Sequence, residues 1–143
     1  IPDRNGNVKD PAAAAKLVHE MNRYIAAAKE LDLPINVGTE LNKPGQRFVD
    51  DFAAAPMKPH HADFLQGARV MVGQTRLLRW ADYSYIDDRA AADHPARKDR
   101  NAFFAAVGAL PGPDAKILAK LNQMTPANAL DYLSGCAARG QWR

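Results

Sequence analysis

Residues 35–40 read Ile-Asn-Val-Gly-Thr-Glu, and the reading of this stretch decides the fold class. Ile35, Val37 and Thr39 alternate with Asn36, Gly38 and Glu40, the period-two pattern of a strand with one apolar face. It is the one convincing strand pattern in the chain. A lone strand leaves its backbone N–H and C=O groups unpaired, so it needs a neighbour. The residues around Ile1 and Pro2 are a candidate for the tail of a second strand, with the helix between them as a βαβ crossover. Two strands do not make a stable parallel sheet. The remaining strands are therefore expected upstream or on another chain, and a first residue other than methionine agrees with that expectation.

Working outward, Asp10-Pro11 is a helix start, with Asp as N-cap and Pro at the first helical position. Ala14, Leu17, Val18, Met21, Tyr24, Ile25, Ala28 and Leu31 then recur at three- and four-residue spacing, which predicts one amphipathic helix over 11–32. Asp32-Leu33-Pro34 should end it, because the residue before proline disfavours helix. Downstream of the strand, Lys43-Pro44-Gly45-Gln46 has turn chemistry. Phe48, Val49 and Phe52 suggest a short helix with Asp50 and Asp51 on its wet side. A second long helix is expected over 62–85, where Gly67 and Gly73 mark either a close helix contact or a break. Residues 87–97 read as a polar linker, followed by helices near 99–109, 113–124 and 126–138, the last opened by Thr125-Pro126. The expected fold is α/β and mostly helical: a C-terminal fragment of a (β/α) barrel-like domain holding one or two strands (1–56), then a small helical bundle (57–143).

Apolar residues make up 47% and charged residues 24% of the 143, a globular composition rather than a disordered one. No apolar run approaches the roughly 20 residues that span a bilayer, and no signal-peptide pattern opens the chain. With a single cysteine, Cys136, the expected setting is cytoplasmic. The net charge of +3 is spread along the chain. Its densest cluster, Arg97-Lys98-Asp99-Arg100, is interrupted by an aspartate, so a nucleic-acid partner is not expected.

Glu40 and Asn42 fall at the C-terminal end of the expected strand, where α/β barrels gather their catalytic groups. A carboxylate there suits metal binding or general-base work; the plain alternative is a strand-end carboxylate capping nearby amides. Asp3, Arg4 and Asn5 sit at the corresponding end of the earlier strand. Arg4 suits a phosphate or carboxylate, and the alternative is an Asx-type turn before the helix. His60 and His61 are adjacent and so diverge, a poor chelate by themselves. His19 lies within the first helix and His94 precedes a proline. No phosphate-binding glycine loop, nucleophile elbow or Cys/His pair is present.

The run from Ile35 through Gln46 into Phe48-Val49-Asp50-Asp51-Phe52 resembles a late strand and loop of PHP-type (polymerase and histidinol phosphatase) and related amidohydrolase-like metal-dependent hydrolases. Ile1-Pro2-Asp3-Arg4-Asn5 is similar to the end of the preceding strand in that group. The resemblance implies a barrel hydrolase whose mouth binds a divalent cation (Zn²⁺, Mn²⁺ or Mg²⁺), completed by residues outside this chain. In it, Glu40 would be metal ligand or base, Asn42 a positioning group, and Asp3, Arg4 and Asn5 substrate contacts. The family signature of Gly-Ser/Thr-Asp followed by His departs here to Gly38-Thr39-Glu40 with Asn42, so the site is altered or the chain is a non-catalytic relative. The expectation is a C-terminal part with no catalysis alone, completed by the N-terminal portion of the same protein or by a homo-oligomeric mate. The alternative is a helical interaction or regulatory module whose lone strand pairs with a partner chain.

Overall fold

The computed structural model describes residues 8, 10–38, 44 and 48–143. Its regular elements are helices α1 (Pro11–Glu30), α2 (His61–Ala81), α3 (Asp88–Asp93), α4 (Arg97–Ala109), α5 (Ala115–Asn122) and α6 (Pro126–Ala137), with a 3₁₀ turn at Lys58–His60. The α/β expectation is overturned: among the described residues there is no strand and no sheet. The chain divides into two compact units, Ile1–Leu65 and Gln66–Arg143.

In the first unit, α1 starts where its capping chemistry predicts. The Asp10 carboxylate accepts the Ala12 N–H at 2.9 Å, and Pro11 occupies the first turn. The end is more specific than a proline stop. Asp32 takes a left-handed conformation (φ 51°). Its N–H reaches the Lys29 carbonyl at 3.1 Å, and the Leu33 N–H reaches the Ala28 carbonyl at 2.8 Å. Those two bonds are the Schellman pair, with aspartate where glycine is usual. Beyond it, residues 33–38 form no regular element, although over residues 35–38 burial alternates as a strand's would. Ile35 and Val37 are half-buried while Asn36 and Gly38 are exposed. Ile35 and Val37 pack with Met21 and Phe52 around a small core of Ile25, Met57 and Phe64.

No helix forms over 48–52 either. Phe48 and Val49 are exposed while Asp50 is buried, against the expected turn, whereas Phe52 packs inward and Asp51 is exposed as expected. Asp51 explains the lost helix locally. Its carboxylate accepts the Ala53 N–H at 2.9 Å, a side-chain turn that competes with helix propagation.

The second unit has the larger core. Leu77, Ala81, Phe104, Val107, Ala129 and Leu133 are fully enclosed, with Val70, Tyr83 and Leu121 nearly so. Each large apolar side chain withdrawn from water contributes roughly 1.5–3 kcal/mol. The aromatic centre is tight: Tyr83 stacks on Phe104 at 5.9 Å, and Tyr85 meets the same ring edge-on at 5.1 Å.

Helices α2 and α4 cross at paired glycines. A Cβ at Gly73 would overlap the Phe104 carbonyl, and a Cβ at Gly108 would overlap that of Arg69. Gly73 is therefore a contact point, not a break. The expected linker over 87–97 contains α3 instead, and its Ala90 is fully buried in the core. Two capped helices follow: Asp114 accepts the Ile117 N–H at 2.8 Å, and Thr125 accepts that of Asn128 at 3.4 Å. Arg76 ties down the last turn of α4 and the chain after it by donating to the carbonyls of Val107 (2.9 Å), Leu110 (2.8 Å) and Pro111 (3.1 Å). Burial lowers its pKa from the ordinary arginine value.

Candidate functional site

Glu40, Asn42, Asp3, Arg4 and Asn5, the residues the sequence singles out, all lie outside the described residues. The proposed metal ligand Glu40 is therefore placed by nothing in the structure. The histidines can be placed. His60 Nε2 lies 2.8 Å from Asn22 Oδ1, so with that nitrogen protonated it donates to the amide oxygen. The His61 ring packs 6.1 Å from Phe52. The two imidazoles serve different neighbours, as adjacent residues at a helix start must. Among the described residues, no three His, Cys, Asp or Glu side chains converge in a metal-holding group. None of their helices is long and apolar enough to cross a membrane.

What the first unit does present is an apolar groove of about 550 Å³, within the size range of ligand and peptide-anchor pockets. One wall is α1, through Met21, Tyr24, Ile25 and Ala28; the opposite wall is the whole of residues 33–38, and Met57 and Phe64 are also in the lining. Ala28 and Leu33, the two ends of the Schellman bond, both line it, so the motif that stops the helix also places the second wall. Polar ties join α1 to the 3₁₀ turn and to the start of α2. Besides Asn22 with His60, Lys29 Nζ pairs with Asp63 Oδ2 at 3.0 Å. The His60 ring also lies 6.1 Å from Phe64, which lines the groove.

The exposure of α1 explains why the groove is open. At 3.6 residues per turn its apolar stripe spans roughly 140° of the helix. Burial differs between the two sides of that arc. On one side Ile25 is 5% exposed and Val18 half-buried; Met21 and Ala28 in the middle are half-buried; on the other side Leu17 is 40%, Leu31 59% and Tyr24 76% exposed. The described part of the unit covers one side of the stripe and leaves the other bare. The signal was present in the sequence as a stripe two residues wide, but nothing in it says which edge goes uncovered. Met57, in a proline-punctuated loop, carried no signal.

No family model matches this chain, and no curated protein or solved structure matches it.

Proposed function

We propose that this chain is an interaction module whose first unit takes apolar side chains of a partner polypeptide into the groove beside α1. The observation that carries the reading is the half-covered stripe: Tyr24, which lines the groove, and Leu31 beside it belong to the stripe of buried Ile25 yet stand largely in water, and Leu17 is 40% exposed. Monomeric surfaces rarely leave large contiguous apolar areas open, and where they do the area is commonly a binding site. A hydrolase-like role has no described residue behind it, because Glu40, Asn42 and residues 3–5 fall outside the described part. The interaction role rests on residues whose positions are known.

The test is a titration with 1-anilinonaphthalene-8-sulfonate, whose fluorescence rises in apolar sites, followed by displacement with apolar peptides. The full chain is expected to bind the dye saturably and to release it to peptide. Ala28→Trp places an indole in the groove and should abolish the signal while far-UV helicity stays unchanged. Absence of dye binding by the unsubstituted chain, or binding indifferent to Ala28→Trp, refutes the reading.

A further inference from the structure

We infer that the partner enters this groove as an extended strand, hydrogen-bonded along residues 35–38; the inference rests on the interaction reading and specifies its occupant. Apolar shape alone would admit a helix, a strand or a lipid-like molecule. The backbone selects among them.

Leu33 spends its N–H on the Ala28 carbonyl, and Pro34 has none to give. From Ile35 onward the situation changes. Among the described residues no hydrogen bond reaches the backbone of residues 35–38. Yet this segment is not a solvated loop, since Ile35 and Val37 are fastened into the small core. Their anchoring fixes the direction of the intervening backbone groups, and the alternation of Ile35 and Val37 inward with Asn36 and Gly38 outward is that of an extended chain. A segment held by alternate side chains, with backbone donors and acceptors that no described residue pairs, is a template for strand addition.

These four residues, with Leu33 and Pro34 before them, form one wall of the groove. A chain laid beside them would turn every second side chain into the groove, towards Tyr24 and Ala28. Backbone pairing and coverage of the bare stripe are then achieved by one ligand. A helix would satisfy the stripe and leave the donors open; a lipid-like molecule would fill the groove and do the same. The partner chemistry is accordingly an extended segment alternating apolar with polar residues, its apolar side facing α1.

The experiment uses the full chain, a short peptide of alternating Val and Thr, and the same peptide N-methylated on alternate amides. The twin keeps every side chain but loses the backbone donors on one edge. The parent peptide is expected to displace the dye and to slow amide hydrogen exchange at Ile35, Asn36, Val37 or Gly38. The twin should bind roughly tenfold more weakly, corresponding to the net loss of one or two backbone hydrogen bonds. Equal displacement by both peptides, or displacement without protection of residues 35–38, overturns strand pairing and leaves the groove reading standing. Failure of the unsubstituted chain to bind dye at all removes the groove reading itself.

Discussion

Replacing Gly73 by alanine should destabilise the second unit, although by helix propensity alone it should do the opposite. In a helix interior, Gly→Ala gains up to about 1 kcal/mol. Here the added methyl has nowhere to go. Besides the Phe104 carbonyl oxygen, it would lie 2.8 Å from that carbonyl's carbon and 3.2 Å from the Gly108 nitrogen. All three are backbone atoms of α4, so no side chain can rotate away and the helices must separate. Overpacking of this kind costs roughly 1–3 kcal/mol, and more where backbone has to move. Because backbone must move here, the cost lies at the upper end of that range or above it, and the net expectation after the propensity gain is subtracted is a loss of about 2 kcal/mol or more. Gly108→Ala meets the mirror-image contact, with its Cβ 2.7 Å from the Arg69 carbonyl carbon and 2.9 Å from the Gly73 nitrogen. Because either methyl already forces the crossing open, the double variant should cost less than the sum of the singles. Trp80 and Trp142, the two tryptophans of the chain, both belong to this unit, so urea unfolding followed by tryptophan fluorescence reports on it. The midpoint should fall with an unchanged slope. A Gly73→Ala protein as stable as the parent, or more so, would show that the helices do not meet at these glycines.

Arg76→Met keeps much of the side-chain volume but strips the donor from the carbonyls of Val107, Leu110 and Pro111; unfolding should become easier by about 2–3 kcal/mol, and an unchanged urea midpoint would mean water replaces the guanidinium freely. Tyr83 carries a pH signature: burial first, then its hydrogen bond to Asp93, pushes the phenol up to about 12. The unfolded phenol ionises near about 10, so the folded state holds its proton longer; the associated stability is complete below about pH 10 and declines as pH rises towards 12. Tyr83→Phe should therefore show a shallower alkaline loss of stability than the parent between pH 9 and 11, and parallel profiles would contradict the assignment. Asp114→Ala removes the oxygen that accepts the Ile117 N–H, for an expected loss of about 1 kcal/mol in the same assay; Asp114→Asn, which keeps an acceptor, should recover most of it.

Helix starts were the most legible part of the fold, because Asp10-Pro11 and Thr125-Pro126 encode them within two residues. Helix ends were less so. Both α1 and α2 are followed by an aspartate in the left-handed region, Asp32 and Asp82, a role usually signalled by glycine. The expectation of helix to residue 85 accordingly overran the observed end at Ala81. Helix α3 was hidden because Arg89-Ala90-Ala91-Ala92 shows no wide apolar face; the one side chain that matters, Ala90, is small and fully enclosed. Gly73 was legible as one of two things. A crossing partner, Gly108, lies 35 residues downstream, and no local pattern connects them. Of the candidate site nothing was legible as a site: its walls read as an ordinary helix stripe and an ordinary strand.

The strand expectation failed in an instructive way, since its pattern was physically real. Period-two apolarity reports that alternate side chains face a core, and at Ile35 and Val37 they do. It does not report whether a neighbouring chain pairs the backbone. Those are separate conditions, and a sheet needs both. Residues 35–38 meet the first and, among the described residues, lack the second. The α1 stripe carries the complementary fact. An arc of roughly 140° is wider than a single extended segment covers, and the exposure of Leu17, Tyr24 and Leu31 shows the shortfall directly. A backbone that no described residue pairs on one wall, and the exposed Tyr24 on the other, are two deficits of one groove. A single extended chain laid between them removes both, which a ligand matching either wall alone would not do.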